Sequence, residues 1–228
     1  MQKDLSYRSQ IFYLFVSVFI LRATFFFGPF VGDFATYLII GQIILDGDFA
    51  LETFVDNKTY LLYFIYAVLL KLSFDNLYIL QIYGSIIIFT SSVLILMISN
   101  RLVGKNFLLP SLIYIIFSSL FVSGGQWLMT EHIVILPVLL SFLCILKKHK
   151  TSKDFFKIGI LISISALIRQ NMIILALGIF IIIFLGEDRK KILGNTINYI
   201  SGGLIPVLAI LFFSLYVNSF ENLLLNTF

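Results

Sequence analysis

Long apolar stretches separated by short polar segments make up most of the chain. Runs of about 17–25 apolar residues are long enough to cross the hydrocarbon core of a membrane as helices. A mixed segment at 29–76 and the short polar breaks "TEH" and "RQN" interrupt the pattern. The pattern predicts apolar helices near 11–28, 77–98, 107–123, 131–146, 158–185 and 197–217.

Two stretches admit more than one interpretation. Residues 158–185 fit one long tilted helix or a hairpin that turns at Arg169, and the hairpin keeps the basic clusters on either side of it on one face. Residues 59–74 fit a crossing or an amphipathic helix at the outer surface, with Tyr60, Tyr63 and Tyr66 at the interface. With the hairpin and the surface helix, the chain is expected to be a polytopic all-α membrane protein of about seven transmembrane helices.

Composition points to lipid as the solvent. Hydrophobic residues make up 60% of the 228 positions and charged residues only 12%, against about 25% charged in soluble domains. The single Cys144 excludes an internal disulfide, and two histidines are too few for an all-histidine metal site. No pair of small residues stands out as a helix-packing motif, and the whole of 1–228 is expected to form one transmembrane module.

The distribution of basic residues predicts the orientation. Cytoplasmic loops carry an excess of lysine and arginine, and a cytoplasmic N-terminus places the tract 147–157 and the cluster 189–191 inside. The loop 29–76 is then outside, and the plasma (inner) membrane is the expected location. The net charge of +4 follows from this rule, so it does not indicate nucleic-acid binding.

This orientation gathers the unusual polar residues on the outer side. Ionisable groups near membrane depth tend to mark a functional site, although each has a structural alternative. An aspartate can cap a helix, a glutamate suits a helix N-terminus, and an arginine can reach towards lipid headgroups. Arg22 and Trp127 are interpreted as interfacial residues. The outward candidates are Asp33, Asp56, Lys58, Glu131, His132 and Arg169.

The order of these parts resembles the GT-C superfamily of integral-membrane glycosyltransferases, in the protein O-mannosyltransferase-like and lipid A aminoarabinose transferase-like branch. The matching pieces are "GDFATYLIIGQIILDGDF", "FVDNKTYLLYFIYAVLLKLSF", "LMTEHIVILPVLL" and "GILISISALIRQNMIILALGIFIII", within about 30–186. Phe34 and the pair Thr59-Tyr60 stand where the family has a second acid and two prolines.

The resemblance implies transfer of a sugar from a polyprenyl-phosphate donor to a lipid, glycan or protein acceptor on the outer (periplasmic or extracytoplasmic) face. Asp33 is then expected to act as the base, and Lys58 and Arg169 are expected to hold the donor phosphate. Orientation of the acceptor, or ligation of a possible divalent cation, is assigned to the remaining candidates: Asp56, Glu131 and His132.

Two other classes of function stay open. A small lipid or solute transporter would use the same outward polar groups as a substrate path, but it would place charges at mid-span on facing helices. A non-catalytic remnant, or a subunit whose partner supplies further spans, would need the membrane fold without the activity. The first class is disfavoured because the centres of the predicted spans are nearly free of charge.

Overall fold

The computed structural model describes residues 6–23, 32–49, 58–74, 76–104, 107–120, 127–186 and 189–217. Within these residues the regular structure is entirely helical, which confirms the all-α class. The helices are α1 (Tyr7–Arg22), α2 (Asp33–Leu45), α3 (Tyr60–Ser73), α4 (Leu77–Leu102), α5 (Leu109–Phe117), α6 (Thr130–Ile145), α7 (Ser152–Ile168), a 3-10 turn (Gln170–Met172), α8 (Ile173–Gly186) and α9 (Arg189–Tyr216).

Two of the described helices are long and apolar enough to cross a membrane. They are Leu77–Leu102 and Lys191–Tyr216, each of 26 residues, with mean hydropathies of 2.1 and 1.9. At 1.5 Å per residue each is roughly 39 Å long, more than the roughly 30 Å of a hydrocarbon core. The other apolar helices are shorter, so length and composition identify these two as the candidate spans.

Helices α1 and α4 run antiparallel. The rings of Phe15 and Phe89 meet edge to face at 5.6 Å, and one end of this pairing is marked by Arg22 Nε, which donates to Ser85 Oγ at 3.1 Å. Residue numbers therefore rise along α1 while those of the contacting residues in α4 fall. Helix α5 completes this part of the core, whose fully buried members are Leu14, Val18, Ile88, Leu96 and Ile115.

The chain reverses at Arg169, between α7 and the 3-10 turn. Tyr199 Oη donates to the Ala176 carbonyl at 3.0 Å, and the Tyr199 carbonyl lies against Gly159. One continuous helix would hold Gly159 and Ala176 roughly 25 Å apart, farther than a single tyrosine reaches. Helix α8 therefore folds back along α7, and the predicted hairpin is confirmed.

Helices α7 and α9 cross with their backbones in contact. A Cβ built on Gly159 would lie 2.9 Å from the Gly203 amide nitrogen and would overlap the Tyr199 carbonyl oxygen. One built on Gly202 would lie 2.9 Å from the Phe156 carbonyl carbon. Small residues permit this approach in membrane bundles, so the expectation that no small-residue contact stands out is wrong.

The aromatic face of α3 points inward. Tyr60, Tyr63 and Tyr66 are all buried, and the rings of Tyr37 and Tyr66 lie 5.2 Å apart. The expectation that these tyrosines lie at a lipid interface is wrong, because all three are buried and Tyr37 of α2 packs against Tyr63 and Tyr66. The exposed side chains of α3 include Val68 and Leu72.

The two ends of the bundle differ in charge. Arg101 Nη1 donates to the Leu143 carbonyl at 3.0 Å, so α4 and α6 finish side by side. The basic tract 147–157 follows α6 directly, and α8 returns the chain to this same end before α9 begins. The exposed basic residues of this end, called here the basic end, are Arg8, Arg101, Lys147, Lys148, Lys150, Lys153, Lys157 and Lys191.

An aspartate-centred cap fixes the start of α7 at the basic end. Asp154 Oδ2 accepts from the backbone N–H and the hydroxyl of Thr151, each at 2.9 Å, and Lys147 Nζ lies 2.5 Å from Asp154 Oδ1. The lysine contact first, and the Thr151 amide next, lower the pKa of Asp154 to about 2. Asp154 precedes the apolar part of α7, and the contacts with Lys147 and Thr151 leave its side chain only 7% exposed.

Candidate functional site

Residues 127–132, called here the α6 entry segment, form the centre of the opposite, polar end. Trp127 and Leu128 are buried, and the Tyr66 hydroxyl donates a short hydrogen bond to the Leu128 carbonyl. Thr130 Oγ1 donates to Glu131 Oε2 at 2.9 Å. The "TEH" break therefore starts α6 and anchors it to α3. The burial of Trp127 contradicts its interpretation as an interfacial residue.

Glu131 and Arg169 form an ion pair between the start of α6 and the end of α7. Arg169 Nη1 contacts Glu131 Oε1, and the two side chains are 31% and 54% exposed, the arginine being the less exposed. Both had been predicted at the outer end, but not as partners. The guanidinium that was expected to hold a phosphate thus has a carboxylate in contact with it.

Asp33 is the first residue of α2 and is exposed. Gly32, at φ +67°, occupies the N-cap position, and no side chain there makes a capping hydrogen bond. The Asp33 carboxylate instead accepts from the Tyr37 hydroxyl at 3.5 Å. This leaves its outer side open to solvent, a geometry that suits a base better than a cap.

Tyr66 connects the two acidic groups electrostatically. Burial above all, and then the nearby Tyr37, Glu131 and Asp33, raise the pKa of Tyr66 well above its usual value. The hydroxyl therefore keeps its proton and can donate to the α6 entry segment. Asp33 contacts the Tyr37 hydroxyl, the Tyr37 ring lies 5.2 Å from the Tyr66 ring, and the Tyr66 hydroxyl bonds to Leu128, three residues before Glu131, so both carboxylates lie near this tyrosine pair.

Lys58 lies beside the end of α7. The hydroxyl of its neighbour Thr59 donates a short hydrogen bond to the carbonyl of Leu167, two residues before Arg169. The lysine is half-buried. This contact brings the segment that starts at Lys58 next to the end of α7, which precedes Arg169, although the two predicted phosphate-binding cations are 111 positions apart in the sequence. Asp56 lies outside the described residues.

His132 faces inward and away from the Glu131 carboxylate. It is 6% exposed, and its Nδ1 accepts from the Met129 amide at 3.1 Å. Within the described part of the chain, no group of three histidine, cysteine, aspartate or glutamate side chains is placed to hold a metal ion. The described residues therefore supply acids and cations for the candidate site, without a metal-ligating cluster.

Arg22 is a polar residue whose place the sequence interpretation missed. It is 1% exposed, so its assignment as an interfacial anchor is wrong. The spacing of residues in α1 could have indicated its burial, because every fourth residue of this helix is buried and Arg22 is the last of that series. The series consists of Gln10, Leu14, Val18 and Arg22.

Comparison of the chain with protein-family models, with curated proteins and with solved structures gives no match. The polar end itself carries the functional argument. It combines an exposed carboxylate, two neighbouring cations and an ion pair at the edge of an apolar bundle, which is a combination suited to acid–base chemistry beside a bound anion.

Proposed function

We propose that the protein is a membrane glycosyltransferase that moves a sugar from a polyprenyl-phosphate donor to an acceptor on the outer face of the plasma membrane. In this proposal about seven helices cross the membrane, the N-terminus is cytoplasmic, and the α2–α3 pair lies against the outer leaflet. Lipid-linked donors need an apolar groove for the prenyl chain and cations for the phosphate, and the cations Lys58 and Arg169 both lie at the polar end.

The observation that carries the proposal is the separation of charges along the bundle. All the exposed basic residues that the structure describes except Lys71 lie at the basic end, as in cytoplasmic loops, while Asp33, Lys58, Glu131 and Arg169 gather at the other end. Ionisable groups in a membrane protein are costly unless they serve a pathway or site. A cluster of two acids and two cations at the outer end supports a site for a charged, lipid-anchored substrate.

The roles follow from exposure and pairing. Asp33, which is exposed and bonded only weakly to Tyr37, is the proposed base for the acceptor hydroxyl, a contribution of roughly 10²–10⁴-fold in rate. Lys58 and Arg169 are the proposed phosphate ligands. Arg169 exchanges its contact with Glu131 for the donor phosphate, which frees the Glu131 carboxylate to orient the acceptor.

A transfer assay with radiolabelled polyprenyl-phosphate sugars in lipid discs tests the assignment of the base. Asp33→Asn should abolish transfer and leave donor binding unchanged. Asp48→Asn, at the opposite end of α2 and also exposed, is the matched control and should transfer at the wild-type rate. Equal transfer by both variants would remove Asp33 from the mechanism.

Donor binding on the same discs tests the phosphate ligands. Lys58→Ala should weaken binding about tenfold or more, because a hydrogen bond to a charged group contributes roughly 1.5–3 kcal/mol. Lys71→Ala, an exposed lysine at the far end of α3, is the control and should change donor affinity little. If the two variants bind the donor equally, Lys58 is an ordinary loop charge and the proposed donor site is wrong.

A further inference from the structure

Phe74 ends α3 in a conformation that a bulky side chain rarely adopts. Its backbone lies in the left-handed region at φ 52° and ψ 42°, and among the described residues it is the one other than glycine with a positive φ. Glycine or asparagine usually follows the end of a helix in this conformation, because a Cβ atom there crowds the following carbonyl oxygen. Phe74 is 86% exposed, so contacts within the protein do little to offset the strain.

Hydrogen bonds on both sides hold Phe74 in this conformation. Its amide donates to the Lys71 carbonyl at 3.3 Å, and the Asn76 amide donates to the Ser73 carbonyl at 2.9 Å. Asn76 then caps α4, because its Oδ1 accepts from the Tyr78 amide at 3.0 Å. The corner between α3 and α4 is therefore a fixed turn on which the phenylalanine is exposed.

The corner lies beside the first turns of α4, not beyond them. Tyr83 Oη donates to the Leu72 carbonyl at 3.1 Å, and Tyr83 lies in the second turn of α4. Side chains on a helix lean towards its N-terminus, so this bond brings the end of α3 level with the first two turns of α4. A hydrocarbon core of roughly 30 Å, centred on the roughly 39 Å of α4, ends about 4–5 Å inside its first residue. The end of α3 therefore lies where headgroups meet acyl chains.

Further exposed apolar residues precede and follow Phe74. Val68 and Leu72 are one turn apart, so they share one face of α3, and they are 55% and 53% exposed. Leu77 and Tyr78, at the start of α4, are 38% and 53% exposed. Exposed apolar patches mark sites of interaction with proteins or membranes, and at this depth lipid is the surrounding solvent.

We infer that the corner between α3 and α4 is a lipid-binding surface, and that Phe74 inserts among the acyl chains of the leaflet around the polar end. Two features select phospholipid as the partner. The surface continues into α4, a candidate membrane span. The exposed Lys71 adjoins Leu72, and a lysine at this depth extends its ammonium to lipid phosphates.

The strain at Phe74 has a purpose in this arrangement. Backbone outliers persist where they serve a functional constraint, and the apolar side chain is what glycine or asparagine would lack at this turn. The anchor requires that α4 crosses the membrane, but it requires no sugar transfer. It therefore goes beyond the proposed function, and loss of the transfer activity would leave it standing.

Site-directed spin labelling in lipid discs tests the depth of the corner. A Cys144→Ala background removes the single native cysteine, and nitroxides are attached at Phe74→Cys or Leu72→Cys. Collisions with oxygen, which concentrates in hydrocarbon, are compared with collisions with a water-soluble nickel chelate. Both labels should favour oxygen, at a depth of about 5–10 Å in the interfacial region. Ile86→Cys, exposed on α4, is the deep reference, and Asp48→Cys, exposed after α2, is the aqueous one.

Two results would overturn the inference. One is a nickel accessibility of the Phe74→Cys label equal to that of Asp48→Cys, which would place the corner in water. The other is dipolar broadening of the Phe74→Cys spectrum that disappears on dilution with unlabelled protein. A second copy of the chain, and not lipid, would then cover the surface.

Two substitutions of Phe74 separate the effect of its side chain from that of its backbone. With the label at Leu72→Cys, Phe74→Asn should lose the preference for oxygen, whereas Phe74→Leu should keep it. Asparagine adopts the left-handed backbone more readily than leucine, so backbone strain cannot explain a shallower corner in Phe74→Asn. Unchanged Trp127 fluorescence in both variants controls for the fold. Equal label depth with phenylalanine, asparagine and leucine at position 74 would show that Phe74 does not anchor the corner.

Discussion

Replacing Gly159 with alanine tests the crossing of α7 and α9. The added methyl carbon would lie 2.9 Å from the Gly203 amide nitrogen and 3.0 Å from the Tyr199 carbonyl carbon, and it would overlap the oxygen of that carbonyl. All three neighbours are backbone atoms of α9, so no side chain can rotate away. The two helices must separate for alanine to fit.

The magnitude follows from two opposed effects. Optimal contacts between such atoms are about 3.5–4.0 Å, so the overlapping carbonyl oxygen requires the helices to move apart by roughly 1 Å or more. Overpacking of this kind costs typically about 1–3 kcal/mol. Alanine also favours a helix over glycine by roughly 0.5–1 kcal/mol. Gly194, in α9, has nothing within 4 Å of a built Cβ, so Gly194→Ala gains the second effect alone.

The difference between the two variants therefore isolates the crossing. Gly159→Ala should be less stable than Gly194→Ala by about 1–3 kcal/mol. Graded unfolding in mixed micelles with a denaturing detergent, followed by Trp127 fluorescence, measures both against wild type. If Gly159→Ala is as stable as Gly194→Ala, α7 and α9 do not meet at Gly159, and the packing described for this half of the bundle is wrong.

Three further outcomes can be measured. Tyr66→Phe should destabilise the protein by roughly 1–3 kcal/mol in the same unfolding experiment, because the buried Leu128 carbonyl loses its donor. Asp154 has a pKa lowered to about 2, so its stabilising effect is complete above its ordinary value of 3.8 and disappears as the pH falls towards 2. The stability difference between wild type and Asp154→Asn should therefore shrink over that window, and a constant difference would contradict the cap. Asp48→Cys and Ser152→Cys should react with an impermeant reagent from opposite sides of sealed vesicles, and labelling from one side would exclude the proposed topology.

The features that were predictable from the sequence are those carried by contiguous residues. The apolar runs predicted helices, and the breaks "TEH" and "RQN" predicted where α6 begins and where the chain reverses after α7. The lysine-rich tract after α6 predicted a basic end. Each signal is local, because the hydrophobicity and charge of contiguous side chains decide whether that segment can lie in an apolar environment.

The features that were not predictable depend on which helix covers which face. Tyr60, Tyr63 and Tyr66 suit either an interface or an interior, and only the position of α2 makes them interior. Gly159 and Ser163 are four residues apart in α7 and both lie near Gly203 of α9. This spacing of small residues is a known packing pattern, but it does not reveal which helix packs against it.

The candidate site shows the same division. The sequence predicted Glu131 and Arg169 as outward polar residues, but their pairing joins positions 38 apart and requires both the start of α6 and the reversal after α7. Arg22 was misjudged because an arginine at the end of an apolar helix usually reaches for headgroups. Its burial became visible only with Ser85 and Gln81 of α4 in place.

The α6 entry segment contacts several parts of the molecule that could otherwise change independently of one another. The Leu128 carbonyl of this segment accepts from the Tyr66 hydroxyl, and Glu131 pairs with Arg169. Leu128 also lies near Arg22, on the other side of Gly84. A substitution that displaces this backbone disturbs an exposed ion pair and an interior charge together. Substitutions at the exposed positions of α2 are therefore easier to accommodate, because those side chains can change without disturbing a shared support.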